Sequence, residues 1–167
     1  MKVGITGHQN LGGGDAVAWL RETIRTVVEE TSVSEGFTCL AKGADQLYAE
    51  ILLEKLLPYT VVLPCEEYET TFGLPEDLAN FRRLHDKAVH IIKMPFREPS
   101  EVAYLHAGQF IADNSDLLIA IWNGLPAKGL GGTGDIVKYA IAKNKATLHI
   151  NPVTQTATKL KRLPPLE

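Results

Sequence analysis

A chain of 167 residues, 45% apolar and 22% charged, is long enough for one domain with a full core and short for two, and disorder is set aside except at the ends. Its net charge of −3 lacks the basic surplus or stripe of a nucleic-acid-binding domain, so the acidic balance argues against nucleic acid as a partner. No apolar run nears ~20 residues and residues 1–6 are too short and uncharged for a signal peptide; a cytoplasmic protein with no membrane partner is expected.

The dense basic cluster of Lys159, Lys161 and Arg162 reads as a solvated terminus. Cys39 and Cys65 sit in strand-like contexts and read as small buried hydrophobes in a reducing compartment. With no CxxC or HExxH spacing, neither a metal nor a cofactor is expected.

In chain order, Lys2–Thr6 is a short apolar strand that runs into the glycine-rich loop Gly7-His-Gln-Asn-Leu-Gly-Gly-Gly14. Asp15 can cap the helix that follows, where apolar residues 17, 20, 24, 27 and 28 recur at helical spacing. Phe37–Leu40 is a second strand, Gly43 and Asp45 a turn, and Leu47–Leu57 a helix closed by Pro58. Tyr59–Leu63 is a third strand stopped by Pro64; residues 66–75 form an excursion or flap, and Glu76–Ala88 a helix with Leu78, Phe81, Leu84 and Ala88 on one face. A fourth strand, Val89–Lys93, precedes a helix over Ser100–Ala112 with Ser100 as its cap. Asp116–Trp122 runs apolar without alternation, as a central parallel strand covered on both faces must. After Gly129–Asp135 come a helix over Ile136–Lys143, a sixth strand over Ala146–Ile150 and an extended tail over 153–167.

Six alternations of strand and helix predict an α/β fold: one doubly wound, mainly parallel sheet with helices on both faces, over residues 1–152. In such sheets a ligand sits outside the carboxyl ends of the strands, at the switch in strand order. Three glycine-rich turns fall on that edge. The first, with Gly7 and His8, can hold an anion at a helix start or be an ordinary loop. The second, Ala41-Lys-Gly-Ala-Asp45, offers Gly43 for close approach and Asp45 for a ribose hydroxyl or as a helix cap. The third carries four glycines, 129, 131, 132 and 134, before an apolar helix. There Gly131, Gly132, Thr133 and Gly134 can wrap a phosphate, and Asp135 can cap the helix, bind a hydroxyl or act on a glycosidic bond. Trp122 can stack on a base or simply pack. Asp116 lies at the opposite edge and reads as structural. No G-x-S-x-G is present, and neither cysteine has an assigned histidine partner, so no nucleophile constellation emerges.

Taken together, Gly4-Ile-Thr-Gly-His8, Ala41-Lys-Gly-Ala-Asp45, Val62-Leu-Pro64 followed by Tyr68, Ser115-Asp116 leading to Ala120-Ile-Trp122 and Gly124, and Gly131-Gly-Thr-Gly-Asp135 leading to Tyr139-Ala140 resemble the SLOG superfamily. The resemblance covers roughly residues 1–152. It implies a Rossmann-like, LOG/DprA-like nucleotide-binding domain, a pocket that includes Pro64, and a homodimer or higher homo-oligomer. Members of the group hydrolyse nucleotide N-glycosidic bonds, sense nucleotide signals or handle single-stranded DNA. The LOG-type hydrolases carry PGGxGTxxE with a catalytic glutamate; here Lys138 stands at that position and Leu130 replaces the proline. Cys39 stands where many relatives have glycine.

The sequence therefore predicts a binding module or sensor. A small-molecule nucleotide would place its phosphate against the Gly131–Gly134 loop and the first turn, its ribose near Asp45 or Asp135, and its base toward Trp122 or the 66–75 excursion. The alternative is a phosphoribohydrolase with Asp135 and Glu67 as the catalytic carboxylates.

Overall fold

The computed structural model describes residues 1–160. Residues 161–167, with Lys161 and Arg162 of the basic cluster, lie outside the described residues. The elements are β1 (Lys2–Gly7), α1 (Gly14–Glu30), β2 (Glu35–Thr38), α2 (Ala44–Glu54), β3 (Tyr59–Leu63), a 3₁₀ turn (Tyr68–Thr71), α3 (Pro75–His85), β4 (His90–Lys93), α4 (Glu101–Asn114), β5 (Leu117–Ile121), α5 (Thr133–Ala142), β6 (Ala146–Asn151) and β7 (Thr156–Leu160).

The strands form one sheet in the order β4-β3-β2-β1-β5-β6-β7. β1 to β6 pair in parallel, and β7 lies antiparallel to β6. The doubly wound fold expected from the alternation is present, with seven strands where six were expected. The added strand comes from the segment read as tail. Asn151 accepts from the N–H groups of Val153 and Thr154, and the turn this makes folds Thr156–Leu160 back onto β6.

The chain winds left from β1 through β2, β3 and β4, then returns to build β5 and β6 on the right of β1. The switch therefore lies between β1 and β5. α1, α2 and α3 cover one face, where Leu20, Ile24, Val28, Ile51, Leu52, Phe81 and Leu84 pack with Ile119 and Ile121. α4 and α5 cover the other, where Ala107, Ile111, Ile136 and Ala140 pack with Leu118. This alternation buries Leu118 through Ile121 completely, which accounts for the unbroken apolar run.

Two hydrogen bonds between Lys2 and Asp116 hold the amino edge. Lys2 N–H donates to Asp116 Oδ2 at 2.7 Å and Asp116 N–H donates to the Lys2 carbonyl at 2.8 Å, the structural role expected of Asp116. Ser100 caps α4 by accepting from Ala103 N–H. The 66–75 excursion is anchored rather than free to flap: Tyr68 is buried, and its ring meets Phe72 and Phe81 edge-on at 5.5 and 5.7 Å. Among the described residues no helix is long and apolar enough to cross a membrane.

Candidate functional site at the carboxyl edge of the sheet

At the β1–β5 switch the chain leaves β1 at Gly7. A Cβ there would sit 2.4 Å from the Ala44 Cβ and 2.8 Å from that of Ile121, so glycine is what lets α2 and β5 close on the turn. His8 follows. Its N–H donates to the Ile121 carbonyl, its carbonyl accepts from Ala44 N–H, and its Nε2 accepts from Asn123 N–H at 3.2 Å. His8 thus stitches together the turns after β1, β2 and β5, and that Nε2 lone pair is used inside the protein.

The second turn locks onto the first. Gly43 has φ of +90°, and a Cβ there would meet the Gln9 and His8 carbonyl oxygens at 2.3 and 2.6 Å. Beneath it Asp45 is 5% exposed. Its Oδ2 accepts from Cys39 N–H at 2.9 Å and from the Thr38 hydroxyl at 3.1 Å. Burial pushes its carboxyl up to about 7, against those hydrogen bonds, which favour the charged form. Asp45 is thereby an internal brace of the turn. Burial, and then the Asp45 charge, push the Cys39 thiol up, so Cys39 is a poor nucleophile.

Between these turns lies an open groove of about 530 Å³ lined by Gln9, Asn10, Leu11, Gly12, Val17, Lys42 and Gly43. It lies at the start of the 17-residue helix α1, whose N-cap is Gly13 with no side-chain cap. A Cβ on Gly13 or Gly14 would meet nothing within 4 Å, so side chains can be added at the start of α1 without a clash. Lys42 adds an ammonium, held by Asp77 at 2.8 Å. Asp15, exposed on the first turn of α1, is a second carboxylate at this end. Sequence reasoning named Gly7, His8 and Gly43 but not Lys42 as a site residue. The signal was present, a lysine one residue before the glycine of the second turn.

The third turn is more self-contained than its glycines imply. Gly131, at φ +80°, packs on the backbone of Glu101 and Leu105 in α4, and its N–H donates to Asp135 Oδ2 at 3.1 Å. Gly132 N–H donates to the Gly129 carbonyl. Gly134 is buried, with room for a Cβ closed off by Ala127 N at 3.0 Å. Thr133 opens α5, half-buried, after an N-cap glycine with no side-chain cap. The α5 start thus remains a second helix terminus on this edge.

Trp122 is 3% exposed, packed with Ala120 and Val137 and tilted against His149 at 5.2 Å. Its indole N–H donates to the Leu125 carbonyl at 2.7 Å. The ring has no free face for a base and instead shapes the loop after β5. Pro64 is buried at the end of β3. Glu67, after β3, pairs with the exposed Arg97 at 3.1 Å. Glu67 and Asp135 follow β3 and β5, three strand spacings apart. That puts their strand ends about 14 Å apart, and each carboxylate is engaged within its own turn, Glu67 with Arg97 and Asp135 with Gly131 N–H. Lys138, at the position of the hydrolases' glutamate, is exposed.

No family model matches the sequence, and no curated protein matches it. Solved structures do match. DNA processing protein A (DprA) from Streptococcus pneumoniae superposes with a TM-score of 0.64 at 16% identity over 89% of this chain and 49% of that one. DprA from Helicobacter pylori, described for its single-stranded DNA binding mode, gives 0.66 at 15% identity over 89% of this chain and 64% of that one. A molybdenum cofactor binding protein from Rippkaea orientalis gives 0.57 at 13% identity over 90% and 76%. The chain spans about half and just under two thirds of the two DprA chains.

These likenesses correct one expectation. Net charge argued against nucleic acid, yet the Helicobacter pylori protein that shares this architecture over 64% of its length is described for binding single-stranded DNA. The physical reason is that total charge is not local potential: helix termini and one or two lysines can hold a phosphate on an acidic protein. The architecture expected from the motifs is the one found, and the chain has the Rossmann-like α/β fold of these solved structures.

Proposed function

We propose that this protein binds a nucleotide-derived ligand at the carboxyl edge of its sheet and acts as a binding module or sensor. The observation that carries the reading is the groove at the uncapped start of α1. There three consecutive glycines, unfilled space and Lys42 meet beside the topological switch. Unpaired N–H groups at the positive end of a long helix favour an anion, and a phosphate can draw Lys42 away from Asp77 or share it. The α5 start offers a second such terminus for a ligand with more than one phosphate. Hydrolysis has no observation of its own in favour, because Asp135 is bonded to Gly131, Glu67 is paired with Arg97 and Lys138 is exposed.

The test is calorimetric titration with AMP, ADP-ribose, pyrophosphate and an oligo(dT), on the wild type and on Gly13→Glu. Gly13 has φ of −76° and open space around it, so the new side chain fits without strain. Its carboxylate would repel an anion, and we expect affinity to fall by about tenfold or more. Unchanged affinity would place the phosphate elsewhere. A second reading, in which the phosphates are those of a single strand, draws on the Helicobacter pylori likeness. It predicts that oligo(dT) binds more tightly than the mononucleotides and weakens steeply with salt.

A further inference from the structure

The groove between the first two turns is rich in donors. Lys42 supplies an ammonium, and Asn10 spends its Oδ1 on Gly12 N–H at 3.0 Å, which leaves its amide N–H groups for whatever lies there. Apart from the exposed Gln9 amide, no lining side chain has an acceptor to spare. A phosphate is held by donors alone. At about 530 Å³, however, the groove has the size of a whole small-molecule site, well beyond a single phosphate. Leu11 and Val17 add aliphatic surface to it, and no lining residue is aromatic.

A fixed acceptor stands beside it. Asp77 Oδ2 meets Lys42 Nζ at 2.8 Å, and the Asp77 side chain is 20% exposed. Among the described residues its Oδ1 accepts no hydrogen bond. Both members of the pair are held in place. Lys42 lies between two left-handed residues, the fully buried Leu40 at φ +55° and Gly43 at φ +90°. A leucine in that region is strained and persists only where its surroundings enforce it. Here the buried Gln46 donates to the Leu40 carbonyl at 3.1 Å and accepts from Asn80 Nδ2 at 2.8 Å. Asn80 follows Asp77 by three residues on α3, so one face of that helix carries both. The bonds through Gln46 thus tie the strained turn to α3 and set Asp77 against Lys42.

We propose that Asp77, with Lys42 beside it, accepts the hydroxyls of a vicinal diol, so that the groove takes a phosphorylated sugar and reads its sugar and phosphate, not a base. This deepens the nucleotide reading and rests on it for the phosphate. A carboxylate accepts two hydroxyl protons at once, and the adjoining ammonium donates to the hydroxyl oxygens. Leu11 and Val17 suit the C–H face of a sugar ring. The carboxylates that the sequence offered to a ribose are engaged elsewhere, Asp45 with Cys39 and Thr38 and Asp135 with Gly131. Trp122, offered to a base, is packed inside.

The test is NMR titration of the full chain with AMP, 2′,3′-dideoxy-AMP, ribose 5-phosphate and inorganic phosphate, and with adenosine and 2′,3′-dideoxyadenosine, which carry no phosphate. We expect AMP and adenosine each to bind about tenfold more tightly than the dideoxy analogue. Ribose 5-phosphate should bind within about fivefold of AMP. Asp77→Asn gives up an ion pair whose lysine is half exposed, so it should fold as the wild type. It should cut the diol preference to about threefold or less, while inorganic phosphate binds as tightly as before or more tightly. A merely structural Asp77 would weaken phosphate and diol together. Equal binding of AMP and its dideoxy analogue, a preference that survives Asp77→Asn, or ribose 5-phosphate weaker than AMP by more than about fivefold would each overturn the subsite. If adenosine keeps a preference that Asp77→Asn removes, but no phosphate-bearing compound is sensitive to Gly13→Glu, the phosphate placement fails and the subsite stands. If phosphates respond to Gly13→Glu with no diol preference, the reverse holds. No binding by any of these compounds at millimolar concentration overturns both.

Discussion

Asp45 illustrates how little of a residue's chemistry its place in a motif reveals. In the sequence it is a helix-start aspartate, equally fit to meet a ribose or to cap a helix. In the structure it is buried and spends Oδ2 on Cys39 and Thr38. Its carboxyl is raised by burial from 3.8 to about 7, so the folded state holds a proton that the unfolded state has released between those values. The stability this contributes is present below about pH 4 and lost as pH rises through about 7. The exposed Glu29, Glu54 and Glu69, lowered chiefly by bonds to Lys55, Arg25 and Arg82, run the opposite way. Urea unfolding of wild type and Asp45→Asn at pH 5 and pH 8 separates them: the wild type should lose about 2.5 kcal/mol relative to the variant across that range. Parallel pH profiles would refute the buried ionisation. Gly43 makes the complementary point. Gly43→Ala should cost about 3 kcal/mol or more, because the Cβ would meet two carbonyl oxygens at φ +90°. Thermal unfolding measures it. The bond between His8 and Asn123, 115 residues apart, left no trace in local sequence, since it is set by tertiary packing, and for Trp122 the packed alternative is the one found.

At the level of elements, those carrying strong periodicity were legible: α1 with its buried Leu20, Ile24 and Val28, and β5 with its continuous apolar run. β7 was not, because Thr-Ala-Thr-Lys-Leu is short, polar and largely exposed, and becomes a strand only through the β6 edge beside it. The 66–75 segment was legible as irregular but not as anchored. Its order rests on three aromatic rings contributed by two elements, with Phe72 and Phe81 4.8 Å apart. Phe72→Ala should therefore cost about 2 kcal/mol and raise amide exchange across 66–74 more than elsewhere. Uniform exchange would mean that the segment is held by its backbone bonds to Phe96 and Arg97 instead.

For the whole molecule, the winding order puts the topological switch between β1 and β5, on the edge that carries the glycine-rich turns. Within that edge the emphasis moved. The third turn, richest in glycine, spends Gly131 and Gly132 N–H on its own loop and on Asp135, whereas the first leaves the start of α1 open. Glycine count reports where a backbone must approach something closely; that partner can be the protein itself, as α4 is for Gly131. Net charge misled for a related reason, since a phosphate responds to the field at one helix end and not to a sum over the chain. The measurement that tests the central claim most directly is an amide-resolved NMR titration of the wild type with ADP-ribose. The account predicts saturable shifts concentrated at Gly12, Gly13, Gly14 and Gly43, with lesser ones at Thr133 and Gly134. Saturable shifts confined to another face, or no shifts at millimolar ligand, would contradict it.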